Sequence, residues 1–185
     1  MTTPAVDSDR VRAEFFQLAF QYYVAARFGA SAVLLPVAGN LFHHAIEMFL
    51  KGELAQHLDE SQRKKLGHNL TELWSAFKEK TAAEASLASF DTVIEKLSKF
   101  EDIRYPENIV AQGMMCSIGH GELPVDVTID PPMGPRYELF VGDIDALVKA
   151  ILDASGVNPS FFTSTYQATA RTYLTDQNKQ TGLWS

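Results

Sequence analysis

A narrow polar stripe in one otherwise apolar segment holds the side chains best suited to chemistry. On a helical wheel of residues 40–57, the side chains of Asn40, His44, Glu47 and Lys51 fall within roughly 60° of one another. Nearly all other positions of this segment are apolar or small, which predicts a helix in the interior of a bundle. An ionisable group on such a helix must pair with another, line a cleft or shift its pKa, because burial of an unpaired charge is costly.

Two interpretations fit this stripe. In the first, Glu47 and Lys51 form a structural i,i+4 pair that contributes a few tenths of a kcal/mol, and His44 joins them. In the second, the stripe lines a polar cleft shared with other elements. A metal centre is not expected, because the adjacent His43 and His44 point about 100° apart on a helix. Their spacing also differs from the His-Glu-x-x-His pattern of zinc sites, so we expect neither a metal nor another cofactor.

The composition is that of an ordinary globular chain. The chain has 185 residues, of which 46% are hydrophobic and 21% charged, and this excludes a disordered tail, a collagen-like repeat and a disulfide-stapled miniprotein. A formal net charge of −7 gives no bulk attraction to nucleic acid or to an anionic membrane. A single cysteine, Cys116, cannot form an internal disulfide and suits a reducing compartment. With no recognisable signal peptide or membrane-spanning segment, we expect a cytoplasmic protein.

The elements that must position the stripe are mainly helices. Apolar residues recur at helical spacing in six segments, which predicts helices over residues 8–29, 36–58, 70–80, 90–105, 143–156 and 158–174. Asp7 or Ser8 and then Asp143 are expected to cap two of these helices. The charged stretch 59–65 is expected to be a solvated loop, and Pro106 is expected to stop the fourth helix.

The periodicity changes between the fourth and fifth predicted helices. Three short β-prone runs follow at residues 114–118, 125–129 and 137–141, which predicts a small antiparallel meander inserted within residues 111–141. Residues 175–185 form a polar tail apart from Leu183 and Trp184. We therefore expect a single domain over residues 1–185, mainly α, with a small β-rich insertion.

Three motifs resemble those of a known family. They are Ala-Ile-Glu-Met-Phe-Leu-Lys at 45–51, Gly-His-Asn-Leu at 67–70 and Phe-Glu-Asp-Ile-Arg-Tyr-Pro at 100–106. Together they resemble the core signature of HEPN domains, the all-helical superfamily of higher-eukaryote and prokaryote nucleotide-binding proteins. The similarity covers residues 10–106 and the last helices. It implies an up-and-down bundle of four or five helices that commonly pairs as a homodimer.

The resemblance implies three kinds of function. Many HEPN proteins are ribonucleases, often toxins of toxin–antitoxin pairs, and others are partner domains of minimal nucleotidyltransferases. In the related kanamycin nucleotidyltransferase-like enzymes, an analogous helix carries a glutamate base and a lysine one turn later. Glu47 and Lys51 would take these two positions here.

The sequence departs from two of these activities. The ribonuclease signature is an arginine followed after about four to six residues by a histidine, and neither Arg104 nor Arg171 has such a histidine. Arg63 and His68 match the spacing, but they lie before the third predicted helix. Without that imidazole, cleavage through a ribose 2′-hydroxyl lacks its proton carrier. The chain also has no glycine-serine phosphate turn with carboxylates for magnesium, so a nucleotidyltransferase would have to be a separate partner chain.

Arg104 and Tyr105 complete the candidate site. Arg104 is expected to pair with Glu47 as a structural ion pair, or to join Lys51 and His68 as an anion-binding corner for a phosphate. We therefore predict a non-catalytic domain that binds a nucleotide, another anionic ligand or a protein partner. The alternative is a divergent metal-independent ribonuclease of the toxin type. The candidate ligand-binding residues are Glu47, Lys51, His44, His68, Arg104 and Tyr105.

Overall fold

The structure, a computed structural model, describes residues 7–120 and 134–180 and is mainly helical, with one small two-stranded sheet. The helices are α1 (Ser8–Ser31), α2 (Leu35–Leu54), α3 (Glu60–Leu66), α4 (Leu70–Lys80), α5 (Glu84–Leu87), α6 (Asp91–Ser98), α7 (Pro106–Gln112), α8 (Val141–Ser155), α9 (Ser160–Thr163) and α10 (Ala168–Thr175). The strands are β1 (Met115–Gly119) and β2 (Arg136–Phe140), and 3₁₀ turns span Ala88–Phe90 and Lys99–Ile103.

Helices α1 and α2 form a long helical hairpin. Asp7 caps α1 as predicted, because its side chain accepts a hydrogen bond from the Asp9 backbone N–H at 3.0 Å. A short connection then reverses the chain, and Pro36 lies in the first turn of α2, where its missing N–H is not needed. The predicted second helix is present, but it ends at Leu54 rather than near residue 58.

Helix α2 lies at the centre of the helical array, as its nearly continuous apolar surface predicts. It contacts α1 on one side and α4, α6 and α8 on others. Phe49 of α2 packs against Phe16 and Phe20 of α1, with ring centroids 5.9 and 5.0 Å apart. On another face Gly39 lets α2 approach Phe100 closely, since a Cβ there would lie 2.0 Å from the phenyl ring.

Two predictions about the middle of the chain are wrong. The expected loop 59–65 is largely the helix α3, because Asp59 and Gln62 form a capping box that starts a helix despite the charge of the segment. The expected single helix 90–105 is α6 followed by a 3₁₀ turn. The fourth helical segment does stop before Pro106 as predicted, since Tyr105 is extended, and Pro106 then begins α7 at the first helical position, where proline is tolerated.

The predicted antiparallel meander is also wrong. Strands β1 and β2 pair in parallel, with Met115 opposite Arg136 and Gly119 opposite Phe140. Antiparallel pairing is typical of short hairpin turns, whereas the long connection between these strands is compatible with a parallel crossover. The run at residues 125–129 lies outside the described residues.

The last helices begin and end at other residues than predicted. Helix α8 starts at Val141, so Asp143 lies in its first turn instead of capping it. The expected helix 158–174 is two separate helices, α9 and α10. Among the residues that the structure describes, no helix has both the length and the apolar character needed to cross a membrane.

Candidate functional site

Glu47 is the centre of the polar stripe on α2. Its side chain is 0% exposed, on a helix whose buried residues are mostly apolar. Lys51, one turn later and 13% exposed, donates from Nζ to Glu47 Oε1 at 2.7 Å. His44, 21% exposed, places Nδ1 3.3 Å from Glu47 Oε2. Three residues of the stripe therefore form a connected network around one buried carboxylate, whereas Asn40 donates to the Pro36 carbonyl at 3.0 Å.

His68 joins this network from outside α2. Gly67, at a φ of 56° that favours glycine, ends α3, and the side chain of Asn69 caps α4 by accepting from the N–H groups of Thr71 and Glu72. His68 lies between the end of α3 at Gly67 and the cap of α4 at Asn69, and its Nδ1 is 2.9 Å from Glu47 Oε1. Its side chain remains 60% exposed, so the imidazole connects a buried charge with the surface.

The donors around Glu47 keep it ionised. Burial by itself would raise the pKa of this carboxyl, but the hydrogen bonds from His44, Lys51 and His68 and the charge of Lys51 together lower it to about 2. A carboxylate that accepts several hydrogen bonds is stabilised in its charged form. Glu47 is thus ionised near neutral pH and orients one ammonium group and two imidazoles.

A cleft of about 530 Å³ lies beside this network, between the start of α1, the end of α2 and α3. Lys51 belongs both to the Glu47 network and to the wall of this cleft, which Arg63 and Lys64 also line. The acidic residues of the wall are already engaged: Asp59 caps α3, and Glu60 pairs with Lys64 at 2.5 Å. The wall of the cleft therefore carries the cation of Lys51, which is itself paired with Glu47, and the cation of Arg63.

Arg104 and Tyr105 lie apart from the Glu47 network, contrary to the predicted pairing. Arg104 Nη1 is 3.3 Å from Glu101 Oε1, and its guanidinium lies over the exposed ring of Tyr105 at 5.6 Å. The prediction assumed a regular helix through residue 105, in which each residue advances by about 100°. The 3₁₀ turn Lys99–Ile103 changes that advance and directs Arg104 elsewhere.

His43, at the edge of the stripe, is a buried structural residue. Its Nδ1 donates to the Leu97 carbonyl at 3.1 Å, and its Nε2 lies 3.6 Å from Glu101 Oε2. Burial lowers the pKa of His43, against the opposing effects of Leu97 and Glu101. This histidine therefore ties α2 to the end of α6 and makes no hydrogen bond to Glu47 among the described residues.

A second buried charge cluster was not predicted from the sequence. Arg27 of α1 and Asp145 of α8 form an ion pair with both side chains 1% exposed, and Tyr23 donates a hydrogen bond to the same carboxylate. Arg27 also donates to the backbone carbonyls of Tyr173 and Asp176. This cluster anchors the C-terminal segment to α1. The one feature of the sequence that could have indicated this cluster is Arg27 itself, a single arginine within the apolar end of α1.

A third cluster links the start of α1 to the end of α2. Arg12 donates to Glu53 Oε2 at 2.6 Å and to the Ser155 carbonyl at 2.6 Å. His57 Nε2 lies 3.2 Å from Glu53 Oε1. The two histidines use opposite ring nitrogens. His57 contacts its carboxylate through Nε2, and its Nδ1 has no hydrogen-bond partner among the described residues, whereas His68 contacts Glu47 through Nδ1.

The described residues contain no group of three or more His, Cys, Asp or Glu side chains placed to hold a metal ion. Cys116 lies on β1, and burial raises the pKa of its thiol to about 11, which keeps it protonated and unreactive.

Comparisons of the chain with protein-family models, with curated proteins and with solved structures find no match. The geometry of the site therefore has to support any functional conclusion.

Proposed function

We propose that this protein is a HEPN-like binding domain whose ligand is a phosphate-bearing anion, such as a nucleotide. The ligand would lie in the cleft beside α3, against Lys51 and Arg63, with His68 at the adjoining surface. One observation carries the proposal: Lys51 both contacts the buried Glu47 carboxylate and lines the cleft.

The arrangement of charge supports an anionic ligand. The negative charge of Glu47 lies beneath the surface, whereas the donors that it orients lie between it and the solvent. Arg63 donates one N–H to the Leu58 carbonyl, and its other N–H groups make no hydrogen bond within the described residues. A guanidinium matches phosphate oxygens in geometry. Preorganised donors of this kind reduce the ordering cost of binding.

The residues that carry the resemblance to HEPN domains support the same proposal. Glu47, Lys51 and His68 come from two separate motifs, and they meet at a single oxygen, Oε1 of Glu47. Such convergence of motif residues at one place is typical of a functional site rather than of scattered surface pairs.

The proposal is tested by thermal unfolding with a panel of inorganic phosphate, pyrophosphate, nucleotides and phosphorylated sugars. Binding to the folded state stabilises it by RT ln(1 + c/Kd), where c is the free ligand concentration, so Tm rises with the logarithm of ligand concentration once that concentration exceeds Kd. We expect at least one compound to raise Tm, and the Lys51→Met and His68→Gln variants to lose the increase. Lys149→Met, which removes an exposed lysine paired with Asp153, is the matched control and should retain it. A panel without effect, or an unchanged increase in Lys51→Met, would refute the proposal.

A metal-independent ribonuclease remains the second candidate, and one observation favours it. His68 supplies an imidazole held through Nδ1 by a buried carboxylate, which is the arrangement of a general base. In that case the protein should cleave RNA in the presence of a chelator, His68→Gln should abolish cleavage, and His57→Gln should leave it unchanged.

A further inference from the structure

The hydrogen bond to Glu47 assigns different chemistry to the two nitrogens of His68. A carboxylate with a pKa of about 2 only accepts hydrogen bonds, so Nδ1 of His68, at 2.9 Å, carries the hydrogen. In the neutral ring, Nε2 therefore keeps its lone pair. Within residues 7–120 and 134–180, no hydrogen-bond partner occupies Nε2, and the side chain is 60% exposed.

We propose that Nε2 of His68 is a nucleophile that accepts a phosphoryl group from a small donor with a labile phosphorus–nitrogen or acyl-phosphate bond. Histidine is one of the side chains that form covalent intermediates when a neighbouring group activates them. This inference rests on the proposed binding of phosphate-bearing anions at the same site, and it adds a covalent reaction.

The step balances with phosphoramidate as the donor. Phosphoramidate reacts as its zwitterion, H₃N⁺–PO₃²⁻. The Nε2 lone pair forms a bond to phosphorus while the phosphorus–nitrogen bond breaks, and the already protonated nitrogen leaves with the bonding electron pair as ammonia. The hydrogen on Nδ1 stays in place, donated to Glu47. The ring carries a positive charge in the product, and the transferred group carries two negative charges, so the net charge is conserved.

Two groups favour this reaction. The Glu47 carboxylate stabilises the positive charge that develops on the imidazole, and a buried, preoriented charge does so more strongly than solvent. Lys51 contacts the same Oε1 atom, so its ammonium group adds a positive charge on the Nδ1 side of the ring that attracts an anionic donor to this part of the surface.

The other described histidines near carboxylates differ from His68 in the respects that matter. His57 engages Glu53 through Nε2, so its open nitrogen is Nδ1. His44 is 21% exposed and lies 3.3 Å from Glu47, and His43 is buried. His120 is half-buried, and its Nδ1 is buried without a hydrogen-bond partner among the described residues. We therefore expect modification at one nitrogen of one residue.

The test is incubation of the full chain with phosphoramidate, followed by intact mass, peptide mapping and ³¹P NMR, which distinguishes the two phosphohistidine isomers. We expect one phosphoryl group per chain, at Nε2 of His68, absent in His68→Gln and unchanged in the matched control His57→Gln. No modification, modification at Nδ1, or equal labelling of His44, His57 and His68 would overturn the proposal. Both variants change partly exposed side chains, so folding should not limit the test.

A further variant tests whether His68 is labelled because Glu47 activates it or only because its side chain is exposed. Glu47→Gln keeps an oxygen acceptor but removes the charge, and we expect labelling of His68 to slow by roughly tenfold to a hundredfold. An unchanged rate in a folded Glu47→Gln protein would refute the role of Glu47 as a positioning residue. Phosphate-dependent stabilisation without labelling would overturn the nucleophile alone, and labelling without saturable binding of unreactive phosphates would overturn the binding function alone.

Discussion

His68 and Glu47 are 21 residues apart in sequence, yet the Nδ1 of His68 lies 2.9 Å from the Oε1 of Glu47. The contact joins the turn before α4 to the buried face of α2 and pairs an exposed imidazole with a carboxylate that solvent does not reach. Because an unpaired charge at that depth would be costly, the position of the turn and the ionisation of Glu47 depend on each other.

The stability contributed by Glu47 should depend on acid pH. The pKa of its carboxyl is about 2 in the folded protein, against an ordinary value of 4.5, so the unfolded chain binds more protons between these values. The contribution, a few kilocalories per mole, is present above pH 4.5 and is lost as the pH falls towards 2. Urea unfolding at a series of pH values should show the advantage of the natural protein over Glu47→Gln shrinking across this range. A difference that stays constant with pH would contradict the ionised state of Glu47.

Removal of the ammonium group from Lys51 should destabilise the protein. In Lys51→Met, the buried Glu47 carboxylate loses the donor at 2.7 Å, and we expect a loss of about 3 kcal/mol in the free energy of unfolding. Lys64→Met is the control, because it breaks a pair with Glu60 of the same i,i+4 order but on the surface. Its loss should stay below about 0.5 kcal/mol. Equal losses measured by urea unfolding would show that the Glu47 pair is no stronger than a surface pair.

The stability of the protein should require an arginine, and not merely a positive charge, at position 27. Arg27→Lys keeps the positive charge near Asp145 but loses the planar group that also reaches the Tyr173 and Asp176 carbonyls. We expect a loss of about 2 kcal/mol and faster amide hydrogen exchange in residues 168–178. Arg171→Lys is the control, since the exposed Arg171 also donates to two carbonyls. Unchanged exchange in Arg27→Lys would contradict the anchoring role.

The close approach of α2 to the turn at Phe100 should make Gly39 difficult to replace. In Gly39→Ala the added methyl group would lie 2.0 Å from the Phe100 ring, and we expect a loss of about 2 kcal/mol or more through repacking. Gly29→Ala adds the same group 3.3 Å from the Ala38 Cβ and should cost less. Thermal unfolding of the two variants compares them directly, and a Gly39→Ala variant as stable as Gly29→Ala would be evidence against this packing.

The parts of the site that lie within one helix were predictable from the sequence. The spacing of His44, Glu47 and Lys51 places them on one face of any regular helix, and His44 and Lys51 each form a hydrogen bond with Glu47. The motif at 67–70 identified His68 as a candidate, but helical spacing alone could not place it beside Glu47. That contact depends on where α3 ends, and α3 itself was not predicted.

The contacts that were predicted wrongly, or not predicted at all, depend on irregular backbone or on residues far apart in sequence. Arg104 was placed by extending a regular helix through a segment that contains a 3₁₀ turn. Arg27 and Asp145 are 118 residues apart, so no periodic pattern connects them. The parallel direction of β1 and β2 depends on the path of the chain between them, which neither strand encodes.

Histidine side-chain NMR during titration with pyrophosphate tests phosphate binding beside Lys51 and His68 without requiring a reaction. We expect saturable shifts of the His68 ring resonances, lost in Lys51→Met, while the His57 resonances stay unchanged. Equal shifts of His57 and His68, or no shift at His68 at saturating pyrophosphate, would refute binding at this site.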